Sequence, residues 1–404
     1  MKLTKQQAKK NIKIHWLINI ISWITFLVPI ITLFYKYTGL STFEIILISN
    51  IFTFLMWFFE LPTSVLADTF WRKPSLLASV ISNFFCTLLI LLFPNLWWFC
   101  IASVFQALYY SFWSWTAQAF LEENLSALWE GDKFWRYFGK FSFYWEISSL
   151  ITPLIASFIL KILPDSWYTI LAWLDCFFAF ILIILALYLK ESFLDRKKIS
   201  TFKEAVKVNY ITWVNAIKNL INDNKLKLFL IYRSFTHHVT FFWILLLPIL
   251  SDKGMEDRLS WAIVTTFTIG SMFSSKYTYL WWEKYWYSHS WKWSNICQAI
   301  ILIIAWLFFN SWIFLVLLYF IFSIFDWIIN PSWNHELVQL SKWKSIATIR
   351  SLIFWLVALY ITFMKWLLSY LSPDVALIII WIIILVTNII FVFINKKRLF
   401  KIVK

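Results

Sequence analysis

The residues of this chain best suited to chemistry are ionisable side chains set inside long apolar runs. Glu60, Glu146, Asp175, Arg233, His237, His238, Asp326 and Lys365 all stand in stretches dominated by Ile, Leu, Phe and Trp. A charge at the centre of a bilayer costs roughly 2.5–3.5 kcal/mol on insertion scales, so such residues are held for a function or for a partner. The chemistry open to them is proton carriage and solute recognition. A carboxylate in a low-dielectric site favours its protonated form, and a nearby cation favours the ionised one. Asp326 is the candidate proton carrier, with Arg233 or His238 as its partner. The pair His237 and His238 reads equally well as hydrogen-bonding glue between helices. A second charged group, Asp68, Arg72 and Lys73, sits in the stretch ELPTSVLADTFWRKPSL at 60–76.

The elements that must position these residues are membrane-spanning helices. The chain has 404 residues, 61% hydrophobic and only 14% charged, with a mean hydropathy of +0.72. Soluble domains carry about 25% charged residues. Twelve apolar runs are expected to span a bilayer: 13–35, 42–65, 75–93, 97–121, 141–161, 167–190, 227–250, 259–282, 291–309, 312–334, 346–371 and 374–396. The runs are continuous rather than alternating, which excludes a β-barrel and predicts an all-α polytopic membrane protein. The first run is too long for a signal-peptide core and has no small-residue cleavage site, so it counts as a span.

Charge predicts sidedness. Lys and Arg crowd the N-terminal segment, the loops after spans two, four and ten, the segment 190–227 and the C-terminal tail. The alternate loops hold little beyond Lys36, Lys161, Lys253 and Arg258. Both termini are therefore expected in the cytoplasm of a bacterium, at its plasma (inner) membrane. The formal net charge of +15 has this origin. Because the basic residues alternate with spans, they do not form a nucleic-acid surface.

The expected organisation is a six-helix bundle at 1–190, a cytoplasmic linker at 191–226 and a second six-helix bundle at 227–404. Within the linker Phe202, Val206, Tyr210, Val214, Ile217 and Ile221 recur at helical spacing, which predicts an amphipathic helix on the membrane surface. It reads first as a covalent link and second as a regulatory element. Cys86, Cys100, Cys176 and Cys297 all fall within spans and show no disulfide or metal spacing. No Gly-rich phosphate loop is present, which argues against an ATP-driven pump, and no cofactor is expected.

The loop between spans two and three resembles the signature of the major facilitator superfamily, roughly G-x-L-A-D-R-x-G-R-K. Leu66, Ala67, Asp68, Arg72 and Lys73 match; Ser64, Thr69 and Trp71 depart. The counterpart between spans eight and nine reads YLWWEKYWYS, with Glu283 and Lys284 in the Asp-Arg places and Trp286 where the second Gly belongs. A third stretch, SFWSWTAQAFLEENL at 111–125, resembles one written with Gly where Trp115 stands.

Trp thus recurs at glycine places. The chain has 5 Gly and 29 Trp, together about 8% of the chain, close to the usual ~7% for Gly alone. An aromatic belt at the membrane interfaces explains Trp97 and Trp98 at a span start. It does not explain Trp23, Trp145, Trp243, Trp306 and Trp381 inside spans, nor Trp71 and Trp286 in charged loops. Some bacterial lineages read UGA as Gly where common tables give stop or Trp. On that reading Trp71, Trp115, Trp145, Trp286 and Trp327 are Gly in the natural protein.

The resemblance implies a secondary transporter working by alternating access, not an enzyme. It implies a monomer whose partners are a small-molecule solute, protons and the bilayer. In the family the signature acid caps a neighbouring helix N-terminus and latches the cytoplasmic side. This points to Asp68, Arg72 and Lys73 as gate residues, with Glu60, Glu283 and Lys284 in support. Spans one, four, seven and ten line the family's cavity. That placement points to Asn19, Gln106, Tyr110, Arg233, His237, His238 and Asp326, with Glu146 close by. The stretches ELPTSVLAD and SWTAQAFLEEN look most like the drug-efflux-like branch, although SSLITPLIAS around Pro153 departs from the fifth-span signature of drug antiporters. Proton-coupled efflux is the first expectation. Uptake of a sugar, peptide or organic acid is the second, and a non-transporting receptor or scaffold is the third.

Overall fold

A computed structural model describes residues 3–70, 72–131, 134–162 and 166–191, together with single residues and short pieces between 207 and 387. The chain forms two compact units, Met1–Thr212 and Trp213–Lys404. The described part of the first unit is helical throughout: α1 Lys5–Ser22, α2 Ile31–Tyr37, α3 Thr42–Phe70, α4 Arg72–Leu92, α5 Leu96–Ala127, α6 Phe134–Ile162 and α7 Trp167–Leu187.

Local chemistry sets these boundaries. Thr4 and Gln7 form a reciprocal capping box at the start of α1. Ser41 and Glu44 do the same for α3, with the Ser41 N–H donating to Glu44 Oε2 at 2.8 Å and the Glu44 N–H to Ser41 Oγ at 3.3 Å. The Asn95 side chain accepts from the Trp98 N–H at the start of α5. At about 1.5 Å per residue, the 29 residues of α3 reach about 44 Å, more than the roughly 30 Å apolar thickness of a bilayer.

Three expectations need correction in detail. The first span is not one helix. α1 ends at Ser22, a 3-10 turn occupies Val28–Ile30, and α2 follows. Pro29, which lacks an N–H and whose ring excludes a continuous helix, stands in that turn. The third span begins at Arg72 rather than 75, so Arg72 and Lys73 belong to its first turn. Asp68 does not sit in a loop, because α3 continues to Phe70 and leaves one position, 71, before α4.

The helices run up and down. Ring contacts gather the end of α2 with the starts of α5 and α7: Phe34 lies 5.7 Å from Phe99 and Tyr37 lies 4.8 Å from Tyr168. The other end, which carries the N-terminus, joins the starts of α1 and α4 to the ends of α5 and α7. Between the ends, Ile14, Ile18, Leu76, Val80, Ala117, Phe120, Leu182 and Ala186 form a core shared by α1, α4, α5 and α7.

The polarity of α7 is that of a lipid-facing helix. Asp175, Cys176, Ala179, Leu182 and Ala186 point inward, whereas Trp173, Phe177, Phe180, Ile184 and Leu187 are exposed. A soluble helix shows the reverse pattern. Among the described residues, Thr42–Glu60, Arg72–Leu92 and Trp167–Leu187 are long and apolar enough to cross a membrane by length and composition alone.

α2 and α5 terminate alike. After α2, Leu40 N–H donates to the Tyr35 carbonyl and Gly39 N–H to that of Lys36, with Gly39 at φ 86. After α5, Glu130 N–H donates to Leu125 and Trp129 N–H to Ser126, with Trp129 at φ 64. Both are Schellman turns, whose left-handed residue is usually Gly. One of them holds Trp.

Candidate gate and cavity residues

The end of the bundle that carries the N-terminus is closed by charge and backbone. The first turn of α4 presents N–H groups with no helical acceptor. The Glu191 carboxylate, just beyond α7, takes two of them: the Arg72 N–H at 2.9 Å and the Lys73 N–H at 3.0 Å. An anion there is also favoured by the helix dipole, by about 0.3–1 kcal/mol. The Arg72 side chain is buried and its Nε donates to Glu123 Oε1 of α5 at 3.3 Å. Lys73 Nζ donates to the Leu187 carbonyl at 2.8 Å, where a cation suits the C-terminal end of α7. Two helix ends and one ion pair thus tie α4, α5 and α7 together.

A buried amide network lies alongside. Asn11 Nδ2 donates to Asn124 Oδ1 and to the Lys190 carbonyl, each at 2.8 Å. The Lys190 N–H returns to Asn11 Oδ1 at 2.9 Å, and Asn124 Nδ2 donates to the Phe120 carbonyl. These bonds join α1, α5 and the end of α7, with Asn11 and Asn124 buried and Lys190 exposed.

Glu60 bonds to α5. Ser114 Oγ donates to Glu60 Oε1 at 3.3 Å, next to bonds from Thr63 to the Ser111 carbonyl and from Ser111 to the Met56 carbonyl. Glu191 caps α4; the Asp68 side chain, expected to cap a neighbouring helix, lies outside the described residues. Glu123 and Glu191 were the residues missed. Their one sequence signal is acidity at the ends of spans where basic residues otherwise prevail.

Within the bundle, Asn19 Nδ2 donates to the His15 carbonyl at 2.9 Å and meets His15 Nε2 at 3.2 Å. The bond to a carbonyl identifies the amide nitrogen, so Nε2 is the acceptor and neutral His15 carries its proton on Nδ1. The His15 ring is stacked on Trp113 at 5.8 Å and packed by Phe120 and Phe141. Among the described residues Nδ1 has no hydrogen-bond partner. His15 was also missed, because a single His in the first turns after a basic segment carries no periodic signal. Tyr110 packs on Phe52 and Tyr109, and Gln106 is half-buried one turn earlier on α5.

Other expected sites fall outside the described residues: Trp71, Arg233, His237, His238, Glu283, Lys284, Trp286, Asp326 and Trp327. For Trp115, Trp145 and Glu146 only the helical backbone is described. Among the described residues no group of three or more metal-ligating side chains comes together.

The family model described as Major Facilitator Superfamily matches residues 16–348. No curated protein matches the sequence. Among solved structures, a mutant of the nucleoside transporter NupG is similar, with a TM-score of 0.73 at 11% identity, covering 95% of this chain and 98% of that one. A D-xylose-proton symporter gives 0.67 at 12% identity, covering 95% of each chain. The human organic anion transporter MFSD10 (TETRAN) gives 0.61 at 11% identity, covering 95% and 99%. At such identities the likeness speaks for the fold. With the family match over most of its length, the chain belongs to the major facilitator superfamily, as an all-α, polytopic, twelve-helix transporter and not an enzyme.

Proposed function

We propose that this protein is a proton-coupled secondary transporter that exports a small amphipathic compound by alternating access. Two halves, 1–190 and 227–404, rock about a midplane site, with 191–226 as a cytoplasmic linker. The observation that carries the mechanism is the clasp of Glu191, Arg72 and Glu123. It sits at the end of the bundle that the basic residues assign to the cytoplasm, and each of its bonds is modest enough to break in every cycle. Asp68, Glu283 and Lys284 complete this gate. Asp326 carries the proton, opposed by Arg233 or His238, and Asn19, Gln106, Tyr110, His237 and Glu146 border the cavity. Vesicles of known orientation, loaded with labelled solutes and given a pH gradient, test direction and coupling. Export follows if solute leaves the cytoplasmic side as protons enter, and Asp326→Asn abolishes accumulation while leaving exchange intact. Accumulation against a gradient by Asp326→Asn contradicts the proton role.

Uptake is the second reading, favoured by the likeness to a nucleoside transporter and a sugar-proton symporter. The same vesicles decide between the two by the sign of net flux.

We further propose that Trp71, Trp115, Trp145, Trp286 and Trp327 are Gly in the natural protein. Trp129 supports this reading, because it fills the left-handed position that Gly39 fills on α2. UGG codons at 71, 115 and 286 would overturn the proposal, as would Trp at those positions in peptides from the native membrane.

A further inference from the structure

At the end of the bundle away from Glu191, the break in the first span is held by one carboxylate. α1 stops at Ser22, and the Trp23 and Ile24 N–H groups still reach back to Ile20 and Ile21. Phe26 and Leu27 N–H have no carbonyl of the α1 ladder to bond. Asp175 of α7 takes both: Phe26 N–H donates to Oδ1 at 2.6 Å and Leu27 N–H to Oδ2 at 2.9 Å. Asp175, Phe26 and Leu27 are each at most 6% exposed. Beyond the break, α2 rests on α5 and α7 through Phe34 and Tyr37.

We propose that Asp175 is a proton-binding site that clasps the outer segment of span one, 23–37, to span six and releases it on protonation. An ionised carboxylate offers acceptor oxygens to both N–H groups. A proton taken from the aqueous phase onto either oxygen turns that oxygen into a neutral O–H, a much weaker acceptor, and removes the charge that assists both bonds. The N–H that faces the hydroxyl is then poorly held, and residues 23–27 become a hinge. Among the described residues, the titratable side chains near Asp175 are the thiols of Cys86 on α4 and Cys176 beside it on α7. The phenols of Tyr35 and Tyr110 lie near Cys86. From span one only backbone N–H groups meet it. Among the described residues no cation neighbours Asp175, so within this part of the bundle a proton is the charge that can neutralise it.

This inference rests on the proposed transporter topology for its sidedness, but its test needs no substrate. The full chain in lipid nanodiscs is followed by residue-resolved amide exchange at about pH 8 and about pH 5, corrected for intrinsic rates. Acid should raise exchange at Phe26 or Leu27 about tenfold or more, the size expected for loss of a charge-assisted bond. Amides in the middle of α5 should not change. Asp175→Asn should exchange at the fast level at both pH values, and Asp175→Glu should restore a pH response. Equal corrected exchange at both pH values in the unsubstituted protein would overturn the proposal. So would a full pH response in Asp175→Asn. Proton-independent transport together with acid-sensitive exchange would leave this clasp standing and remove only the coupling assigned to Asp326.

Discussion

Span six and its end carry two carboxylates that do the same work in different surroundings. Asp175 and Glu191 each accept two successive backbone N–H groups at the start of another element. Asp175 is buried, has no basic neighbour among the described residues, and holds a break in a helix. Glu191 is half-buried, bonds the backbone of two basic residues, and stands beside an ion pair. Capping geometry is therefore shared, but the means of release differs. A lone buried carboxylate is released by a proton. One set among charges at the rim is released by competition from salt, water or a rival partner.

The largest expected effect comes from emptying the buried cap. Asp175→Ala strands two buried N–H groups at about 1–3 kcal/mol each, so thermal unfolding in detergent should shift down by the equivalent of several kcal/mol. A shift worth less than about 0.5 kcal/mol would show that the break is held by the rings of α2 alone.

Next is Glu123→Gln, which removes the charge facing the buried Arg72 guanidinium at a cost of about 1–3 kcal/mol. Both side chains of this pair are largely buried, so its cost should change little with salt, like that of Asp175→Ala, whereas the cost of Glu191→Gln at the half-buried rim should shrink in high salt. Equal salt dependence of Glu191→Gln and Asp175→Ala would erase the contrast between the ends.

Glu191→Gln should cost about 1 kcal/mol, as for other helix caps, and should raise accessibility at the inner end more than it lowers global stability. Hydrogen exchange at Arg72 and Lys73 reads this directly. No change there would mean that water substitutes for the carboxylate.

The smallest effect has the opposite sign. Trp129→Gly relieves a left-handed residue, and the gain should be about 1 kcal/mol. The same change at Trp97, an exposed residue inside the first turn of α5, should cost stability instead. If both destabilise, the turn after α5 does not call for Gly.

How far the fold was legible follows from what hydropathy measures. Apolar length located the described spans, since each must cover the same apolar thickness, but not their ends: α1 starts at Lys5 rather than 13, α6 at Phe134 rather than 141, and α5 runs to Ala127 rather than 121. It could not see the break at 23–27, because ISWITFLVPI is apolar whether helical or not. Pro29 was the available sign. The capped start of α4 was half legible. Arg72 and Lys73 were singled out as gate candidates, and the structure places them at a helix start capped by Glu191, which leaves the gate itself a proposal. The capping acid, Glu191, lies 119 residues from Arg72 in the chain, and a contact at such separation leaves no local pattern. Asp68 drew attention through its signature stretch, yet α3 runs on past it. His15, Asn11 and Asn124 are polar residues without a motif, and only packing reveals their network.

The central claim is that the clasp at Glu191 governs which end of the transporter is open. Distances between spin labels in the two halves test it most directly, with one pair at loops whose charge predicts the cytoplasmic side (Ser126 and Ser345) and one at loops expected outside (Leu40 and Gly254). The protein should be expressed with Gly at 71, 115, 129, 145, 286 and 327. The account predicts two distance populations for each pair, with the inner pair long when the outer pair is short. Glu191→Gln should enrich the long inner distance. One unchanging distance for both pairs, indifferent to Glu191→Gln, would contradict it.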